Sequence, residues 1–227
     1  VELERVQLEL AVRADDEAPW ELRPGPIAIG ACFLASGTVD DARAWAAAAV
    51  VRDGAPVGRC AVTGEATAPY RAGYLALRHG SLLEDAVRGL TVAPDVLLVD
   101  ATGRDHPRGA GMALHLGAVL EVPTVGVTDR PLLAHADDPA AERGSATPLM
   151  LAGRTVGFAV RTRVGARPVI AHAAWRTDPP TARDVVLRST SRARTPEPLR
   201  LARHVARVTR AEAEGRTPPG WRDASSS

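Results

Sequence analysis

Residues 94–128 read PDVLLVDATGRDHPRGAGMALHLGAVLEVPTVGVT. The apolar run Val96–Val99 is too short for a helix and stops on a carboxylate, Asp100. A glycine-rich loop follows, then a stretch long enough for a helix of about a dozen residues, then Pro123 and a second apolar run, TVGVT (124–128). Strand, loop, helix and strand in that order predict a parallel βαβ unit.

Upstream, IAIGACFLAS (27–36) reads as a buried strand. ARAWAAAAVVRDG (42–54) and APVGRCAVTGEA (55–66) meet at Asp53-Gly54, a hairpin signal. On propensity alone the Ala-rich residues 42–49 lean toward helix. Residues 71–90 carry Leu75, Leu82, Leu83, Val87 and Leu90 at helical spacing. The N-terminal VELERVQLELAVRA also has helical spacing. Downstream, residues 129–148 read as loop, 149–161 as a hairpin around Ala152-Gly153, 167–175 as a strand, and 179–189 and 197–213 as helices. The expectation is an α/β layered fold with a mixed sheet, one domain over 1–215, and a disordered tail over 216–227.

The 227 residues carry 28 basic and 27 acidic side chains, for a net charge of +1, and every basic one is Arg. A nucleic-acid-binding chain usually shows a basic excess, so the average charge disfavours nucleic acid. The Arg-rich stretch from Arg183 to Arg210 reads as a solvated helix face. Two cysteines, Cys32 and Cys60, make no disulfide framework. The charged start and the lack of a long apolar run predict a cytoplasmic protein with no membrane partner.

Four motifs carry a resemblance. They are APYRAGYLALRHG (68–80), DATGRDHPRGAGMALHLG (100–117), VPTVGV (122–127) and PEPLRLA (196–202). In this order and spacing the chain resembles the endonuclease V family. The resemblance implies an RNase H-like core with helices flanking a mixed sheet, and it assigns 42–49 to strand. It implies a Tyr70 wedge (with Arg71-Ala72 in place of Ile-Pro) and a base pocket lined by Gly103, His106, Pro107 and Arg108. It also implies Mg²⁺ held by carboxylates, for cutting DNA or RNA near inosine.

At the metal positions the chain departs from the family. Cys32 and His79 stand where the family has Asp and Glu, and only Asp100 is kept. Asp129 replaces Lys, and Trp175 replaces His, with His172 nearby. Thiol and imidazole are poor Mg²⁺ ligands. Cys, His and Asp are the composition of a nucleophilic triad, and this predicts a cysteine hydrolase or acyltransferase, not a Mg²⁺-dependent endonuclease. In that expectation Cys32 attacks, His79 takes its proton, Asp100 orients His79, and N–H groups of loop 101–111 hold an oxyanion. Tyr70, Gly103, His106, Arg108 and Trp175 would contact the ligand, a small-molecule or carrier-bound acyl substrate, with no cofactor. Two alternatives stay open: a nuclease-dead nucleic-acid-binding protein, and a Zn²⁺ site made by Cys32, His79 and Asp100. His115 is expected to pack against the sheet, and Asp95 and Asp178 to be surface or cap residues. The oligomeric state is not readable.

Overall fold

The computed structural model describes residues 2–36, 42–66 and 75–220. Its helices are α1 (Glu2–Asp16), α2 (Leu75–Arg88), α3 (Met112–Leu120), α4 (Pro179–Arg188) and α5 (Glu197–Ala213). Its strands are β1 (Ala28–Ser36), β2 (Arg43–Arg52), β3 (Ala55–Glu65), β4 (Val96–Val99), β5 (Thr124–Thr128), β6 (Ala146–Leu151), β7 (Arg154–Val160) and β8 (Val169–Ala173). They form one sheet in the order β3-β2-β1-β4-β5-β8-β7-β6. The β1–β4 and β4–β5 pairs are parallel, and the other pairs are antiparallel. The expected mixed α/β sheet is observed, with the βαβ unit at its centre.

Both hairpins turn through two left-handed residues, the geometry that matches strand twist. Asp53 and Gly54 have φ of 52° and 78°, and Ala152 and Gly153 have 49° and 78°. The alanine run becomes a central strand because both of its faces are covered. Ala44, Ala46 and Ala48 pack toward α2, while Trp45 and Ala47 pack toward α5. Small side chains let both helices approach closely, and that packing overrides helical propensity.

Alternation along the strands sorts two cores. Cys32, Leu97 and Val99 face α1, α2 and α3. Ile29, Ala31, Val96 and Leu98 face α4 and α5. Leu97 and Leu98 are both fully buried, one on each side, and each burial stabilises the sheet by about 2 kcal/mol. α3 is shorter than the sequence suggests because the chain before it must cross other backbone. A Cβ on Gly111 would lie 2.4 Å from the Thr102 carbonyl oxygen, and one on Gly126 would lie 2.4 Å from that of Ala101. These glycines seat the loop after Asp100 directly over β5. Among the described residues no helix is long and apolar enough to cross a membrane.

Candidate functional site

Cys32 pairs with Ala48 on β2 and Val99 on β4, in the middle of the sheet. It is fully buried among apolar side chains. Burial pushes its thiol far up, and the Asp100 charge pushes it further. A nucleophilic cysteine needs the opposite, an environment that favours thiolate.

His79 lies on α2, buried. Its Nε2 accepts a hydrogen bond from Arg78 Nε at 3.1 Å, which fixes the proton on Nδ1, and Nδ1 has no partner among the described residues. Burial, then the neighbouring Arg78 charge, pull its pKa down to about 4. The ring is a neutral core group whose basic nitrogen is occupied.

Asp100 leaves the end of β4 toward the opposite face. Its Oδ2 accepts from Arg203 Nη2 at 3.0 Å and Nε at 3.3 Å. Burial raises its pKa, and Arg203 works against that. Among the described residues no hydrogen bond joins Cys32, His79 and Asp100 to one another. The expected triad is therefore not assembled: thiol and imidazole are buried on the α2 side, and the carboxylate is spent on α5. Six N–H groups of the loop expected to hold an oxyanion are already engaged. The N–H groups of Ala101, Arg104, His106, Gly109 and Gly111 all donate to backbone carbonyls, and that of Arg108 donates to His106 Nδ1. The Zn²⁺ alternative has no support either, since no three His, Cys, Asp or Glu side chains stand together among the described residues.

The other candidates fall in different places. Tyr70 lies outside the described residues. A Cβ on Gly103 would lie 2.2 Å from the Ala173 carbonyl oxygen, and this close approach clips the loop to β8. His106 is buried, and Arg108 bonds Gln7 of α1. Trp175 is a core residue. Its backbone exchanges bonds with Thr124 at 2.9 and 3.1 Å, and Arg13 stacks on its ring at 4.7 Å. His115 on α3 is half-buried, and burial lowers its pKa while the charge of Glu84 opposes the shift. Asp95 accepts from Ala28 N at 2.7 Å, and Asp178 caps α4 through Thr181 N at 2.8 Å.

Two features escape a reading by motif. Asp105, fully enclosed, accepts from the N–H groups of Leu132, Leu133 and Ala134 at 2.7, 2.8 and 2.9 Å. Beside it, His172 donates from Nε2 to Thr128 Oγ1 at 2.8 Å, because that hydroxyl gives its own proton to the Arg130 carbonyl. The second feature is an arginine set around the strand ends. Arg194 Nη1 bonds Asp129 at 2.5 Å, which lowers the pKa of that carboxyl, while Arg203 holds Asp100. The stretch expected to be a solvated face is thus partly a set of specific partners. The signal was present as Arg203 and Arg207, one helical turn apart. A cavity of about 500 Å³ lined by Val51, Pro56, Arg188 and Arg192 opens at the other end of the strands.

The family described as Endonuclease V matches residues 11–204. Endonuclease V of Methanopyrus kandleri is 40% identical over 177 residues, which is 76% of this chain and 76% of that protein. The structure of Endonuclease V from Streptomyces avermitilis superposes with a TM-score of 0.84 at 33% identity, covering 94% of each chain. Endonuclease V from Ciona intestinalis, solved in complex with a 24mer DNA containing an inosine followed by a ribo-adenosine, superposes with a TM-score of 0.75. That superposition covers 94% of this chain and 97% of the other, and at 19% identity it shows the fold alone. The RNase H-like architecture follows from these structures.

The same findings overturn the enzyme class expected from the sequence. The relatives are endonucleases V, not cysteine hydrolases or acyltransferases, and the acyl substrate falls with that class. The disfavouring of nucleic acid on net charge falls too. The residues at this point do not fit the Mg²⁺ that the resemblance implies. A buried thiol, a neutral imidazole and an arginine-paired carboxylate are not the oxygen-rich set a hard cation takes.

Proposed function

This chain belongs to the endonuclease V family, and we propose that it recognises nucleic acid carrying a deaminated purine such as inosine. The observation that carries the reading is the loop from Asp100 to Gly111. The resemblance assigns it to the base pocket, and its position is secured at three points. Arg104 N donates to Ala173 O at 3.0 Å, Gly111 N to Gly103 O at 2.9 Å, and Ala113 N to Thr102 O at 3.1 Å. A loop fastened on strands β5 and β8 has little entropy left to lose on binding. The Ciona intestinalis protein of this fold was captured on inosine-containing DNA, which supports the same ligand class here. Tyr70 supplies the stacking wedge in this reading.

The test is fluorescence anisotropy with a labelled single strand containing one inosine, against the same strand with adenosine. Strand integrity is followed on denaturing gels in Mg²⁺ and in Mn²⁺. A preference for inosine of about tenfold, equivalent to about 1.4 kcal/mol, is expected, together with a comparable loss of affinity in Tyr70→Ala. Equal affinity for the two strands would overturn the reading.

A further inference from the structure

Asp100 and Asp129 end adjacent parallel strands, β4 and β5, and Asp100 feels the charge of Asp129. Four guanidiniums surround this pair. Arg203 bonds Asp100 and its field reaches Asp129. Arg194 bonds Asp129 at 2.5 Å. Arg207 acts on Asp100 and Arg167 acts on Asp129 through space. The side chains are placed by Phe33 of β1, which lies 5.5 Å from the Arg203 guanidinium and 6.0 Å from that of Arg207. Arg194 is fixed further by the carbonyls of Arg167 and Pro168, both at 2.7 Å.

Two of the four guanidiniums neutralise the two carboxylates. The other two, Arg207 and Arg167, are exposed, and among the described residues no carboxylate is paired with either. The strand ends therefore carry a surplus of positive charge that comes from the chain itself. Guanidinium suits phosphate through its planar fork of donors.

We propose that Arg203 and Arg194 serve as built-in counter-cations at the strand ends, and that Arg207 and Arg167 hold the phosphodiester backbone of the bound strand without a divalent cation. This rests on the nucleic-acid reading above and adds which residues grip the backbone, and how. In a site that holds its ligand through a metal on Asp100, loss of the carboxylate weakens binding. Here it has the reverse effect, because Asp100 repels phosphate and occupies Arg203.

The experiment is anisotropy with the inosine strand, in EDTA and in Mg²⁺, across a salt series, with thermal melts on every variant. Wild-type affinity is expected to be the same in EDTA as in Mg²⁺. Arg207→Ala and Arg167→Ala, both at exposed positions, each reduce the slope of log affinity against log salt by about 0.7 on single strands. Asp100→Asn tightens binding several-fold. Loss of wild-type binding in EDTA, unchanged salt slopes in both arginine variants, or weaker binding by a folded Asp100→Asn protein would each overturn the proposal. Equal affinity for inosine and adenosine strands overturns the recognition reading alone, and the salt slopes then still decide the role of the arginines.

Discussion

The two sides of the sheet treat the same strand ends in opposite ways. On the α2 side, Cys32 is sealed in an apolar core and His79 is buried against Arg78, with the thiol protonated and the imidazole neutral. On the α5 side, Asp100 and Asp129 are ionic, partly open to solvent and matched to arginines. A residue set that looks coherent as a list of types is divided by the sheet into a packing problem and an electrostatic one. Strand alternation does this: Val99 points into the α2 core, and Asp100, one residue later, points to α5. A nucleophilic triad needs all three groups on one side of that divide.

The widest expected difference is in thiol reactivity. Cys60 on β3 is partly exposed, whereas Cys32 is fully enclosed. With a thiol-reactive probe near neutral pH, Cys60 labels in the folded protein, and Cys32 labels only through opening of the core. The rates should differ by about a thousandfold or more, following the free energy of opening a core strand. Comparable rates for the two thiols would mean that the α2 side is not sealed.

Next in size is the cost of placing charge on each side. Cys32→Asp puts a carboxylate in the apolar core with no partner, and should destabilise the fold by about 3–5 kcal/mol in urea unfolding. Arg203→Met removes the partner of Asp100, whose side chain keeps 24% of its exposure. The cost there should be about 1–2 kcal/mol, since water takes over part of the pairing. If the two variants cost the same, the contrast between the sides is lost.

Much of the fold was legible in the sequence because its signals are local. Asp53-Gly54 and Ala152-Gly153 mark turns by their own backbone preferences. The run from Asp95 to Thr128 announces a βαβ unit by length and punctuation. The site was less legible because its decisive contacts are long-range. Nothing near Asp100 in sequence announces Arg203, 103 residues away, and helical spacing of arginines does not say what they face. Cys32 misled for a related reason. Its position in the family's order was readable, but the side chains that close over it come from α2 and α3. Net charge failed as a guide because Asp and Glu elsewhere cancel a local surplus of Arg.

The smallest expected effect is in pH dependence. Burial holds the pKa of His79 down to about 4 from an ordinary 6.5, and that of His172 likewise to about 4, with Asp105 opposing the shift at His172. A histidine lowered in the fold binds its proton first in the unfolded chain. The stability these two rings contribute is therefore complete above pH 6.5 and is lost as pH falls from there through about 4. Asp100 acts with the opposite sign at the acid end, because burial raises its pKa, so its contribution is lost as pH rises. His79→Gln keeps an acceptor for Arg78 and removes the titration, and it should flatten the acid limb of urea midpoints measured between pH 7 and 4.5. Asp100→Asn should have the reverse effect and steepen that limb, because it removes a titration of the opposite sign. An unchanged limb in His79→Gln would place the imidazole in contact with water, and the α2 side would then be as open as the arginine side.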